Sequence, residues 1–162
     1  MRVLPLIGIT GLALAAPRPA SAQARVGPEL SFASNSIGFG IGARVDAGLT
    51  KMIPTAKDFS VIGSFDYFFP STGIGGSSPT YWEINANGAY HFQIPNVKLA
   101  PYAGAGLDIG HMAYQGFSKN YVGLNLLAGT KFPTAGTITP FAELRIELRS
   151  EGAFVITGGV LF

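Results

Sequence analysis

The chain has 162 residues, no cysteine, 22 glycines and 12 phenylalanines, and 48% of it is hydrophobic. That length suits one domain, and the lack of cysteine excludes a disulfide framework, thiolate chemistry and Cys-based metal sites. The formal net charge of +2 comes from 11 Lys and Arg against 9 Asp and Glu, with no basic run and no aromatic-basic interleaving, so nucleic-acid binding has no support.

Residues 1–24 read as an export signal to be cleaved. Arg2 gives a short positive start, Val3 to Ala16 an apolar run, and Ala22-Gln23-Ala24 the small-x-small ending a signal peptidase needs. The run is short for a membrane anchor and is broken by Pro5, Gly8 and Gly11, with Pro17 beyond it. Cleavage leaves Arg25 as the first residue and removes Arg2 and Arg18, so 25–162 carries nine charges of each sign. No later segment offers 18 continuous apolar residues, which leaves a closed set of strands as the remaining way to satisfy a backbone in lipid.

From Val26 the chain divides into segments with period-two alternation, separated by turn residues. The first strand is predicted at 27–34, with Leu30 and Phe32 on one face; Pro28 makes it the weakest. After the turn at 34–36 comes 37–48, where Ile37, Phe39, Ile41, Ala43, Val45 and Ala47 oppose glycines, Arg44 and Asp46. The turn at 49–58 leads to 59–69, with Phe59, Val61, Phe65, Tyr67 and Phe69 against Ser60, Ser64 and Asp66. A Gly- and Ser-rich loop, 70–79, follows.

The fourth strand, 80–92, alternates most sharply. Trp82, Ile84, Ala86, Tyr90 and Phe92 face one way, Glu83, Asn85, Asn87 and His91 the other. Residues 93–98 turn the chain into 99–110, where Leu99, Ala103, Ala105, Leu107 and Ile109 oppose Tyr102, Gly104, Gly106 and Asp108. A loop is expected at 111–120, then a strand at 121–130 whose alternation is broken by Leu127. After a turn at 131–137, residues 138–148 set Ile138, Ala142, Leu144, Ile146 and Leu148 against Glu143, Arg145 and Glu147. A short connection at 149–151 precedes the last strand, which runs to Phe162 with Phe154, Ile156, Val160 and Phe162 on one face.

A flat apolar strand of this kind invites pairing with other chains unless it closes a barrel. Eight antiparallel strands in up-and-down order put both ends of 25–162 on one side, as in a transmembrane β-barrel. The turns at 49–58, 93–98 and 131–137 are then expected on the periplasmic side. Those at 34–36, 70–79, 111–120 and 149–151 are expected outside the cell. A soluble barrel would also alternate, but with its bulky apolar residues inside. Three observations choose the inverted arrangement: glycines share a face with the charges, as a narrow lumen requires; aromatics gather near strand ends; and an export signal precedes the strands. Phe59, Phe69, Trp82, Tyr90 and Phe92 are the expected interfacial girdle.

The Ala22-Gln23-Ala24 ending, the Pro101-Tyr-Ala-Gly-Ala-Gly-Leu107 strand and the terminal aromatic resemble the small bacterial outer-membrane β-barrels of the OmpA-transmembrane-domain, OmpX and OmpW-like kind. The resemblance implies an outer-membrane location, contact with lipid and lipopolysaccharide, and insertion by the barrel-assembly machinery, for which Phe162 with Val160 behind it would serve as the signal. It implies a structural or surface-interaction role, with a narrow pore or transporter as the alternative and a lipid-modifying enzyme behind that. An extracellular ligand would be met through the loops at 70–79 and 111–120.

The inward charges Arg44, Asp46, Asp66, Glu83, Asp108, Glu143, Arg145 and Glu147 read as a lumenal network in which the two arginines bridge carboxylates, since buried charges must be paired or hydrated. Neither cofactor nor metal is expected, because His91 and His111 fall at opposite strand ends. No catalytic residues are assigned. The best nucleophilic arrangement the residues offer is His111 with Asp108 and Ser118, and the polar-rim reading of His111 is preferred.

Overall fold

The computed structural model describes residues 24–70 and 79–162. They form eight strands and no helix: β1 Ala24–Ala33, β2 Gly38–Gly48, β3 Phe59–Phe69, β4 Thr80–His91, β5 Ala100–Tyr114, β6 Phe117–Lys131, β7 Thr139–Leu148 and β8 Ala153–Leu161. Each strand pairs antiparallel with the next, and β8 pairs with β1 to close the barrel. The predicted export segment lies outside the described residues up to position 23, and so do 71–78 of the 70–79 loop.

The register sets the barrel's shape. Leu30 pairs with Ile41, Ile41 with Tyr67, Tyr67 with Trp82 and Trp82 with His111. Continued through the remaining registers, the path returns to β1 displaced by about ten residues. With strands about 4.8 Å apart rising about 3.3 Å per residue, that stagger tilts them by roughly 40°. The interior is then only as wide as the side chains that fill it.

The alternation has the inverted sense. Ile84 and Leu144 are 48% and 45% exposed, while their neighbours Glu83 and Glu143 are 0% and 3% exposed. An apolar belt surrounds the barrel. From Phe59 to Phe69 the strand takes 11 residues, about 33 Å from first to last and about 25 Å along the axis after tilt, the height of a hydrocarbon layer. Aromatic contacts mark its two edges: Phe59 meets Tyr90 edge-on at 5.1 Å and Tyr90 meets Phe92 at 5.2 Å, while Tyr67 meets Phe69 at 5.2 Å near the other edge.

Three sequence expectations need correction. The first strand begins at Ala24 and runs through Pro28. Pro28 is tolerated because it faces outward at the closing seam: the β1–β8 ladder covers Glu29 to Ala33, skips the proline, which has no N–H to give, and resumes where Phe162 N donates to Val26 O at 2.9 Å. Residues 111–120 are not a loop. β5 and β6 continue to a two-residue turn at Gln115-Gly116, both with positive φ (47° and 84°), as a twist-matched hairpin requires. Last, the interior is not polar throughout. Leu127 keeps the alternation and points inward, forming with Ile62, Ala89 and Tyr102 a buried apolar layer toward the end that carries β8's last residue. Phe68, Tyr81, Tyr121, Ala153 and Val155 form a second layer toward the other end.

Candidate functional site

Between the two apolar layers the lumen is filled with charge. Arg145, 2% exposed, reaches Glu147 at 3.1 Å, Glu83 at 3.2 Å and Asp66 at 3.7 Å. Arg149 lies beside it and contacts Glu147 at 2.6 Å, Glu83 at 2.9 Å and Asp108 at 3.0 Å. Tyr81 donates its hydroxyl to Glu83, and Ser31 donates to Asp66 at 2.9 Å. One level down, Arg44 donates to Glu143 at 2.9 Å and to the Tyr102 hydroxyl at 3.0 Å, and Tyr102 donates to Glu143 at 2.8 Å. The Arg44 guanidinium also lies 4.3 Å from the Phe141 ring centre. Asn125 joins the levels by donating to Asn85 at 2.9 Å and Asn87 at 3.0 Å.

The glycines of the inner face are seats for these groups. A Cβ on Gly123 would strike Asp108 Oδ1, one on Gly129 would come within 2.5 Å of the Tyr102 hydroxyl, and one on Gly110 within 2.9 Å of the Tyr81 hydroxyl. Small residue and large polar partner were therefore placed as pairs across the strands.

All eight inward charges named from the sequence lie buried in the barrel. Seven join the central network. Asp46 sits apart at the mouth, 2.6 Å from Lys131 Nζ. Two members were missed. Glu29 lies on the strand that Pro28 obscured and is 4.0 Å from Arg44. Arg149 was assigned to an exterior connection but turns inward, its side chain 3% exposed. Six carboxylates thus face three guanidiniums inside the barrel.

No family model matches the chain, and no curated protein matches it by sequence. Solved structures do. The chain is similar to the N-terminal β-barrel domain of OprF from Pseudomonas aeruginosa, with TM-score 0.64 and 20% identity over 88% of this chain and 98% of that one. It is also similar to Neisserial surface protein A (0.57, 17%, 85% and 94%) and to Ail, the attachment invasion locus protein of Yersinia pestis (0.53, 17%, 87% and 97%). The fold is that of the small outer-membrane β-barrels. With its exposed apolar belt and buried polar centre, the barrel is built to cross a membrane by its strands.

The nucleophilic arrangement suggested by the sequence is not assembled in this barrel. Asp108 faces the lumen and is held by Arg149, whereas His111, three positions on, faces outward. There it stacks on Trp82 at 5.2 Å and pairs with Asn120 at 2.6 Å. The other histidine does meet a serine, across β3 and β4: His91 Nε2 and Ser60 Oγ lie 2.8 Å apart at the mouth of the barrel. Among the described residues no group of three or more His, Asp or Glu is placed to hold a metal ion.

Proposed function

We propose that the protein is a closed structural element of the outer-membrane envelope, exported by residues 1–24 and inserted through the barrel-assembly machinery. The observation that carries this reading is the filled lumen. A permeating ion or solute would have to pass the Phe68–Tyr81–Tyr121 layer, open the ion pairs around Arg145 and Arg149, then pass the Ile62–Tyr102–Leu127 layer. Opening any one pair strands buried charge, at a cost of about 3–5 kcal/mol.

The surface-interaction alternative loses one of its two loops, because 111–120 is a narrow hairpin. The connections at 34–37 and 149–152 on the same end are also brief. Phe117 at the hairpin tip stays exposed and suits contact with the membrane interface or lipopolysaccharide.

Purified protein in planar bilayers decides between structural element and pore. The expected result is no discrete conductance. Reproducible channels that vanish on Glu83→Gln would replace this reading with transport. Lipid A compared by mass spectrometry from cells with and without the protein should be identical; a missing acyl chain or added group would make it an enzyme.

A further inference from the structure

The two ends of the barrel differ in charge. Arg25, Lys51, Lys57, Lys98 and Lys131 all lie at the end where β1 begins, against Asp46 and Asp58. At the other rim Lys119 and Glu151 cancel as a pair at 2.7 Å. The cationic end also has a cavity of about 590 Å³, open to the aqueous side and lined by Arg25, Lys57, Ser60, His91, Lys131 and Thr139, with Asp46 as its one acid.

We propose that this cup binds a phosphate group, presented by a small soluble phosphate ester or by a lipid headgroup at the adjoining interface. Lys131 neutralises Asp46, which leaves Arg25 and Lys57 as excess positive charge. Arg25 hydrogen-bonds the neutral Thr139 hydroxyl, so its fork is positioned without being discharged. Guanidinium and ammonium together supply the charge-assisted donors that phosphate oxygens take up, and the Ser60–His91 pair adds a neutral hydrogen-bonding wall. A cavity of several hundred Å³ holds more than a bare ion.

The cup is a dead end. Tyr102, 2% exposed, closes its floor with Ile62 and Leu127. Below that floor the six carboxylates outnumber the three guanidiniums, so an anion drawn to the rim is repelled from going deeper. The site thus goes beyond the structural role, and its failure would leave the conductance result untouched.

The two histidines make the test internal. His91 lines the cup and His111 lies outside at the far rim, so their imidazole NMR signals act as probe and control in the full chain. In zwitterionic phosphatidylcholine nanodiscs, glycerol 3-phosphate should move the His91 signal along a saturable curve and leave His111 still. Arg25→Gln with Lys57→Gln, at the mouth and outside the packed core, should weaken that response by about tenfold or more, as the loss of charged hydrogen bonds requires. In discs containing phosphatidylglycerol, a His91 signal already displaced and now insensitive to the ester identifies the lipid headgroup as the source; one that still titrates identifies the soluble ester. If His91 and His111 respond alike and without saturation, or the double variant, still heat-modifiable on gels, titrates unchanged, the proposal is wrong.

Discussion

Leu144, Arg145 and Ile146 are consecutive on β7 and live under different constraints. Leu144 and Ile146 face lipid, where another apolar side chain of similar size would meet the same surroundings. Arg145 between them must reach three carboxylates on β3, β4 and its own strand at once. The outer face is specified by class and the inner face by identity. That contrast explains how a barrel 20% identical to the OprF domain can keep the same wall. It also predicts an order of sensitivity that mutation can break.

The largest effect is expected at the centre of the lumen. Arg145→Met keeps much of the volume but leaves Asp66, Glu83 and Glu147 with one guanidinium fewer among them, and should cost about 3–5 kcal/mol in urea unfolding from lipid bilayers. Next is a charge on the outer face. Leu126, opposite Ile146 and Ala105 near mid-belt, replaced by Arg should lose about 2–4 kcal/mol, while the same change at the exposed hairpin tip, Phe117→Arg, should be close to neutral. Equal costs at Leu126 and Phe117 would mean that the outer face does not lie in lipid.

The same contrast explains what could be read from the sequence. On β3 and β4 every second residue is bulky and apolar, and the predicted spans 59–69 and 80–92 match Phe59–Phe69 and Thr80–His91 to within one residue. Period alone fixes such strands, because lipid asks only for the apolar class. The lumen asks for partners, and these come from different strands. Glu29 and Arg149 were missed for that reason: one follows a proline that masks its strand, the other stands one residue past a strand end and folds back through its long side chain. The apolar lumen layers were hidden similarly. Ile62, Phe68 and Leu127 are hydrophobic residues at inward positions, which period-two reasoning takes for exceptions until the barrel brings them together. The hairpin at 115–116 did carry a local cue, a glycine at a position needing positive φ.

Glycines give a finer comparison. Gly106 faces inward, where a Cβ would collide with the Ala86 carbonyl and the Asn87 side chain; Gly88 faces outward, its nearest neighbour 3.9 Å from a built Cβ. Gly106→Ala should therefore destabilise by roughly 1–3 kcal/mol, as overpacking does. Gly88→Ala should be neutral or stabilising by up to about 1 kcal/mol, since an unrestrained glycine costs chain entropy. Thermal unfolding of the two variants side by side measures the difference directly, and a cost at Gly88 equal to that at Gly106 would erase the distinction between the faces.

The smallest effect belongs to the ion pair outside both environments. Lys119 and Glu151 lie 2.7 Å apart, both side chains more than half exposed, and the hydrogen bond from Lys119 holds the Glu151 carboxyl below its ordinary pKa. A depressed carboxyl contributes stability that is present above its unfolded pKa and lost as pH falls through the folded one. Water and salt screen the pair at the rim, so the contribution is slight even when fully present. Lys119→Ala should leave the unfolding midpoint unresolved from wild type at pH 7, and any gap should close further as pH falls through the lowered pKa of Glu151. The same ion-pair chemistry that decides whether the barrel folds when Arg145 makes it should be nearly silent here, because near Arg145 the alternative to pairing is a charge stranded in a dry lumen, and near Lys119 it is water. A gap at Lys119 comparable to the loss at Arg145 would show that the far rim is buried by something that covers it in the membrane.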